Sequence, residues 1–90
     1  MDNTEPKDKF RYEIKQQIGT LGKPSPKGWT RELNLVSWNG NTPKYDIRDW
    51  SPDHSRMLKG ITLSREDAEA LCRMLIACGL SKTEEHAVEE

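Results

Sequence analysis

The stretch PKYDIRDW, residues 43–50, alternates with a period of two. Lys44, Asp46, Arg48 and Trp50 fall on one parity, and Tyr45, Ile47 and Asp49 on the other. Successive side chains of a strand leave opposite faces of its sheet, so this is the pattern of a strand with two unlike faces. The face opposite Ile47 collects a tryptophan and two cations. It is either an ordinary polar face turned to water or a binding surface.

The neighbouring segments extend the sheet. Asn39-Gly40, just upstream, is a strong hairpin signal, so WTRELNLVSW (29–38) reads as the preceding strand. Leu33 and Leu35 share one parity there, and Asn34, Val36 and Trp38 the other. FRYEIKQQI (10–18) alternates as well and gives the first strand. GTLGKPSPKG (19–28), with three Gly, two Pro and two Lys, reads as a loop. SPDHSRML (51–58) reads as a second loop and KGITLS (59–64) as a short fourth strand. Ser64 stands where an N-cap belongs, with Glu66 and Asp67 in the first turn. Ala68, Leu71, Cys72 and Leu75 then recur at helical spacing up to a stop at Gly79, predicting a helix over about 65–78.

The expected fold class is therefore α+β: four antiparallel strands and one C-terminal helix. Strict alternation places Ile14, Ile18, Leu33, Leu35, Ile47, Ile61 and Leu63 against the helix. It leaves Arg11, Lys15, Trp38, Lys44, Arg48, Trp50 and Thr62 on the other face. The apolar arc of the helix, with Leu71, Met74, Leu75 and Cys78, is wider than one small sheet covers, which predicts a homodimer with these residues at its seam.

Ninety residues, 33% hydrophobic and 32% charged, make one domain with a thin core, of the size that a partner subunit often completes. Residues 1–9 are expected to fray, 10–80 to form the domain, and the acidic tail 81–90 to be disordered. No apolar run approaches the roughly 18 residues of a membrane span, and no signal-peptide pattern opens the chain, so a cytoplasmic protein is expected. Cys72 and Cys78, six residues apart on one helix, lie about 9 Å apart along its axis, too far for a disulfide. With His54 and His86 the only histidines and no paired-cysteine spacing, neither a metal nor another cofactor is expected. The net charge of −1 hides a division. Residues 10–64 hold nine Lys or Arg against five Asp or Glu, a local +4, while the helix and tail are acidic.

Aromatics alternating with cations on an open sheet face suit single-stranded nucleic acid. Flat rings stack on unpaired bases for about 1–3 kcal/mol per base, and cations neutralise the phosphates between them. The competing reading is that the tryptophans cover a second core or a subunit seam. A protein-only adaptor using the helix face is a third. No nucleophile accompanies Asp53-His54 and no Gly-rich loop joins a strand to a helix, so an enzyme is not expected.

Residues 45–71, YDIRDWSPDHSRMLKGITLSREDAEAL, carry a resemblance. An Asp46-Ile47-Arg48 strand followed by Trp50, then a loop, Lys59-Gly60-Ile61-Thr62-Leu63 and a helix, resembles the C-terminal domain family of transcriptional positive cofactor four. With GWTRELNLVSWN before it, the chain is most similar to the compact bacterial YdbC-type members over about residues 10–78. The resemblance implies a curved four-stranded sheet with a C-terminal helix, a symmetric homodimer, and binding of single-stranded DNA with little sequence preference, in transcription or other DNA transactions. RNA is the alternative ligand, since stacking and phosphate contacts do not exclude the 2′-OH. By position, Trp38 matches a family aromatic, Arg48 the Arg of Asp-Ile-Arg, and Lys59 the Lys before Gly-Ile. The family often has two aromatics where Trp50 stands alone before Ser51, and a basic residue where Val36 stands. The expected nucleic-acid contacts are Arg11, Lys15, Lys27, Trp38, Lys44, Arg48, Trp50 and Lys59.

Overall fold

The computed structural model describes residues 11–80, so Phe10, the expected frayed start and the acidic tail lie outside the described residues. The chain forms strands β1 (Tyr12–Leu21), β2 (Thr30–Trp38), β3 (Lys44–Trp50) and β4 (Ile61–Leu63), then helix α1 (Arg65–Ala77). The strands build one antiparallel sheet in the order β1-β2-β3-β4. The β2–β3 connection turns at Asn39 and Gly40, both at positive φ (53° and 78°), with Asn41 N donating to Trp38 O. An Asn-Gly pair tolerates that conformation best.

The register fixes the faces. Leu33 pairs with Ile47 and Ile47 with Ile61, and Leu35 with Tyr45 and Tyr45 with Leu63, so these share the helix face. Val36 pairs with Lys44, Asn34 with Asp46, Glu32 with Arg48 and Thr30 with Trp50, on the opposite, aromatic face. For β2, β3 and β4 the period-two expectation holds.

For β1 it does not. Its register against β2 shifts twice, between Ile14 and Gln16 and between Gln17 and Gly19. Each shift is an extra residue that slips the alternation by one. Ile14 pairs with Val36 and so belongs to the aromatic face, and Ile18, the extra residue of the second shift, is left exposed. Tyr12, opposite Trp38, also joins the aromatic face. Glu13 pairs with Ser37 on the helix face; Arg11 shares its parity, and Lys15, the extra residue of the first shift, reaches back to Glu13 at 3.4 Å. Arg11 and Lys15 are thus not on the aromatic face, contrary to the expected assignment. β1 also runs to Leu21, past the glycine at which the sequence suggested a loop.

Helix α1 is capped at both ends as its sequence indicates. Ser64 Oγ accepts from Asp67 N. At the other end Gly79 (φ 90°) donates to Ile76 O and Leu80 N to Leu75 O, the paired bonds of a Schellman stop. Yet no residue of the helix is buried. The fully buried hydrophobic side chains among the described residues are Val36 and Trp50, both on the aromatic face.

Candidate nucleic-acid interface

The aromatic face is built around Asp46, which is fully buried. Arg48 Nε donates to Asp46 Oδ2 at 2.7 Å and Nη2 to Oδ1 at 2.8 Å, a two-pronged pair between residues i and i+2 of one strand. Thr62 Oγ1 donates to the same Oδ1 at 2.9 Å, tying β4 to β3. A buried carboxylate is tolerable only when it is paired and hydrogen-bonded in this way. The remaining Arg48 nitrogen, Nη1, lies 3.4 Å from Leu58 O. The guanidinium also lies over Trp38, 4.7 Å from the ring centroid. Arg48 is on the expected face, but its side chain is only 14% exposed and its charge is matched by Asp46. It holds Trp38 in place rather than presenting a free cation.

Gly60 explains the Lys-Gly-Ile segment. A Cβ built there would overlap Ile47 O and Arg48 Cβ, so only glycine lets the chain cross β3 closely enough to deliver Thr62 to Asp46. Lys59, one residue earlier, is exposed.

Trp50 corrects the reading of an open stacking platform. It has no exposed surface. Tyr12 packs at 5.6 Å between centroids and His54 stacks at 5.5 Å with planes 27° apart. His54 adopts φ 59° to do so, and its Nε2 lies 2.8 Å from Glu32 Oε2. Burial pushes the Glu32 carboxyl up, but hydrogen bonds from Thr30, Asn34 and His54, with the His54 charge, outweigh it, so the net shift is downward. The loop that carries His54 is pinned by Asp53. Its Oδ1 accepts from Ser55 N and from the hydroxyls of Ser55 and Ser51, which hold the exposed carboxyl at a pKa of about 2. Asp53 and His54 therefore build the loop and its contact with the sheet.

Trp38 is half-buried, with Tyr12 beside it at 5.8 Å and 37% exposed. Lys44 is exposed on the same face, and Lys27 is exposed in the β1–β2 loop. Of the expected contacts, the structure thus leaves Trp38 and Lys44 accessible on the aromatic face, with Lys59 exposed in the segment before β4 and Lys27 exposed in the β1–β2 loop. It covers Trp50, engages Arg48 and turns Arg11 and Lys15 elsewhere. Sequence reasoning missed Tyr12 and the Glu32–His54 contact. The first shares the parity of Ile14, which was expected on the helix face, and the second joins residues 22 apart.

The opposite face carries an apolar groove of about 490 Å³ between sheet and helix, lined by Leu33, Ile47, Leu63, Leu71, Leu75 and Ile76 among others. Met74 is 64% exposed and Cys78 is also exposed. No helix among the described residues is long and apolar enough to cross a membrane.

Residues 25–74 match the family model described as Transcriptional Coactivator p15 (PC4). An uncharacterized protein of Treponema pallidum is 49% identical over 73 residues, which is 81% of this chain and 85% of that protein.

Proposed function

Because the chain belongs to the transcriptional coactivator p15 (PC4) family, we propose that it is a non-enzymatic protein that binds single-stranded DNA on the aromatic face of its sheet, in transcription or another DNA transaction in the cytoplasm. The observation that carries this reading is Trp38, half-buried at the end of β2 and held by the Arg48 guanidinium. A ring fixed in that way stacks on a base with little further loss of side-chain freedom. Lys44 and Lys59 supply phosphate contacts that the chain's own carboxylates do not engage by ion pairs among the described residues. Fluorescence anisotropy with oligothymidylate, the matched RNA and duplex DNA at two salt concentrations tests it. Preference for the single strand, weakening with salt, is expected; equal or stronger binding to duplex contradicts it. Tighter binding of the RNA would move the ligand class instead.

The second part of the reading is a homodimer, with the groove and with Leu71, Met74, Leu75 and Cys78 at its seam. Exposed apolar surface of that extent usually marks an interface. Sedimentation should give twice the 10.4 kDa of the chain at micromolar concentration. A folded monomer refutes this part alone.

A further inference from the structure

Around Trp29, where the β1–β2 loop meets the loop after β3, the surface is basic and aromatic in a way the proposed interface does not use. A cleft of about 200 Å³ is lined by Leu21, Lys23, Ser25, Trp29, Arg31 and Asp49. Trp29 forms its half-buried aromatic wall, and the Arg56 guanidinium lies 5.7 Å from that ring's centroid. The wall is fixed by a tight turn: Ser25 N donates to Trp29 O at 2.8 Å and Trp29 N to Ser25 Oγ at 3.1 Å. Gly28 (φ 87°) lets the turn rest on Pro52, since a Cβ there would stand 3.0 Å from Pro52 Cγ. Arg31 is held across the strands by Asp49, Nε to Oδ1 at 2.9 Å, with its side chain still 62% exposed. Lys23, Lys27 and Arg56 are exposed nearby. Three cations, Lys23, Arg31 and Arg56, thus stand at one tryptophan, against Asp49.

We propose that this cleft is a second subsite that takes one further nucleotide of a single strand, the base against Trp29 and its phosphate between Lys23 and Arg31. The inference rests on the single-stranded DNA reading above and extends it. The Arg31–Asp49 pair lies one residue beyond the Glu32–Arg48 pair, towards the loops. Arg31 and Asp49 share the parity of Leu33 and Ile47, so the cleft opens on the helix side of the sheet, and a strand leaving the aromatic face at that end reaches Trp29 by turning over the end of the sheet. The chemistry suits a nucleotide better than a free anion, because an aromatic wall adds nothing to binding inorganic phosphate. It suits a single strand better than duplex, because a paired base offers no ring face.

Two oligothymidylates separate this subsite from the main one: a short strand of about 6 nucleotides, near the lower end of the footprint of a single-strand module, and a long one of about 20. Trp29→Ala should weaken the long strand roughly 5- to 150-fold and leave the short one unchanged. Lys23→Glu, at an exposed site where folding is not at risk, should also weaken the long strand selectively. Light-induced crosslinking of a long strand carrying 5-bromouracil should map to Trp29. The proposal is overturned if both variants bind the two strands as the unaltered protein does, if they weaken both equally, or if no crosslink reaches Trp29. An unaltered protein that binds neither strand defeats the parent reading, and this one with it.

Discussion

On one face of the sheet Trp50 and Val36 are fully buried by groups of the same chain; on the other, Leu75 and Ile76 stay about half exposed beside Leu33 and Ile47. The first face is closed by a polar and aromatic network: Asp46 with Arg48 and Thr62, Glu32 with His54, and Tyr12 over Trp50. The second is apolar and unfinished. Fully covering a Leu, Ile or Met side chain is worth about 1.5–3 kcal/mol, so covering Met74, Leu75 and Ile76 would add several kcal/mol to a small domain. The difference teaches that the hydrophobic face of a sheet need not be the one its own chain buries. The aromatic face is sealed around Trp50 and stays partly open around Trp38, where the proposed binding would take place.

That division can be broken first at Trp50. Trp50→Ala opens a cavity in the sealed face and should cost about 3–5 kcal/mol in urea unfolding, a large part of the stability of a small domain. A small loss with weakened binding would return Trp50 to the surface. Gly60→Ala should cost about 1–3 kcal/mol or more, because the new methyl meets backbone rather than a flexible side chain. An unchanged midpoint would show that β4 has room beside β3.

Trp38→Ala tests the open part of the aromatic face. It should weaken oligothymidylate by about 1–3 kcal/mol with little change in salt dependence. Lys44→Ala and Lys59→Ala should have smaller effects on affinity and each make the log–log salt slope shallower by about 0.7. Arg48→Ala should act differently from the two lysines, since its charge is already matched: it strands the buried Asp46 and lowers stability.

The smallest effect concerns acid. Glu32 titrates below its ordinary value of 4.5 in the folded protein. A depressed carboxyl contributes stability that is fully present above its unfolded pKa and is lost as pH falls through the folded one. The protein should therefore lose stability progressively below about pH 4.5, and Glu32→Gln should flatten that limb in urea titrations. Asp53, with its pKa of about 2 against 3.8, adds in the same direction between those values. A limb as steep in Glu32→Gln as in the unaltered protein would remove Glu32 from this account.

Much of this architecture was legible in the residues. Asn39-Gly40, Ser64, Gly79 and the alternation of β2 and β3 mark their elements because each is a local device whose chemistry needs no distant partner. The faces of β1 were not legible. Its apolar parity, Tyr12 and Ile14, takes the aromatic face although apolar residues of the other strands take the helix face, and its two shifts break the alternation at Lys15 and Ile18 without a compositional trace. Trp50 shows a second limit. Period two says which face a side chain takes, and Trp50 does take the face of Arg48, but it does not say whether that face is covered. The cover comes from Tyr12 and His54, residues 38 and 4 positions away in the chain. Arg48 and Asp46 sit two apart in the sequence, and their pairing was readable in principle from strand geometry.

The most direct test is a backbone-amide NMR titration of the protein with oligothymidylate. Binding on the aromatic face should shift the amides around Trp38, Lys44 and Lys59 and leave those of Leu71, Met74 and Leu75 in place. Shifts confined to the helix, with the aromatic face unmoved, would contradict the central claim.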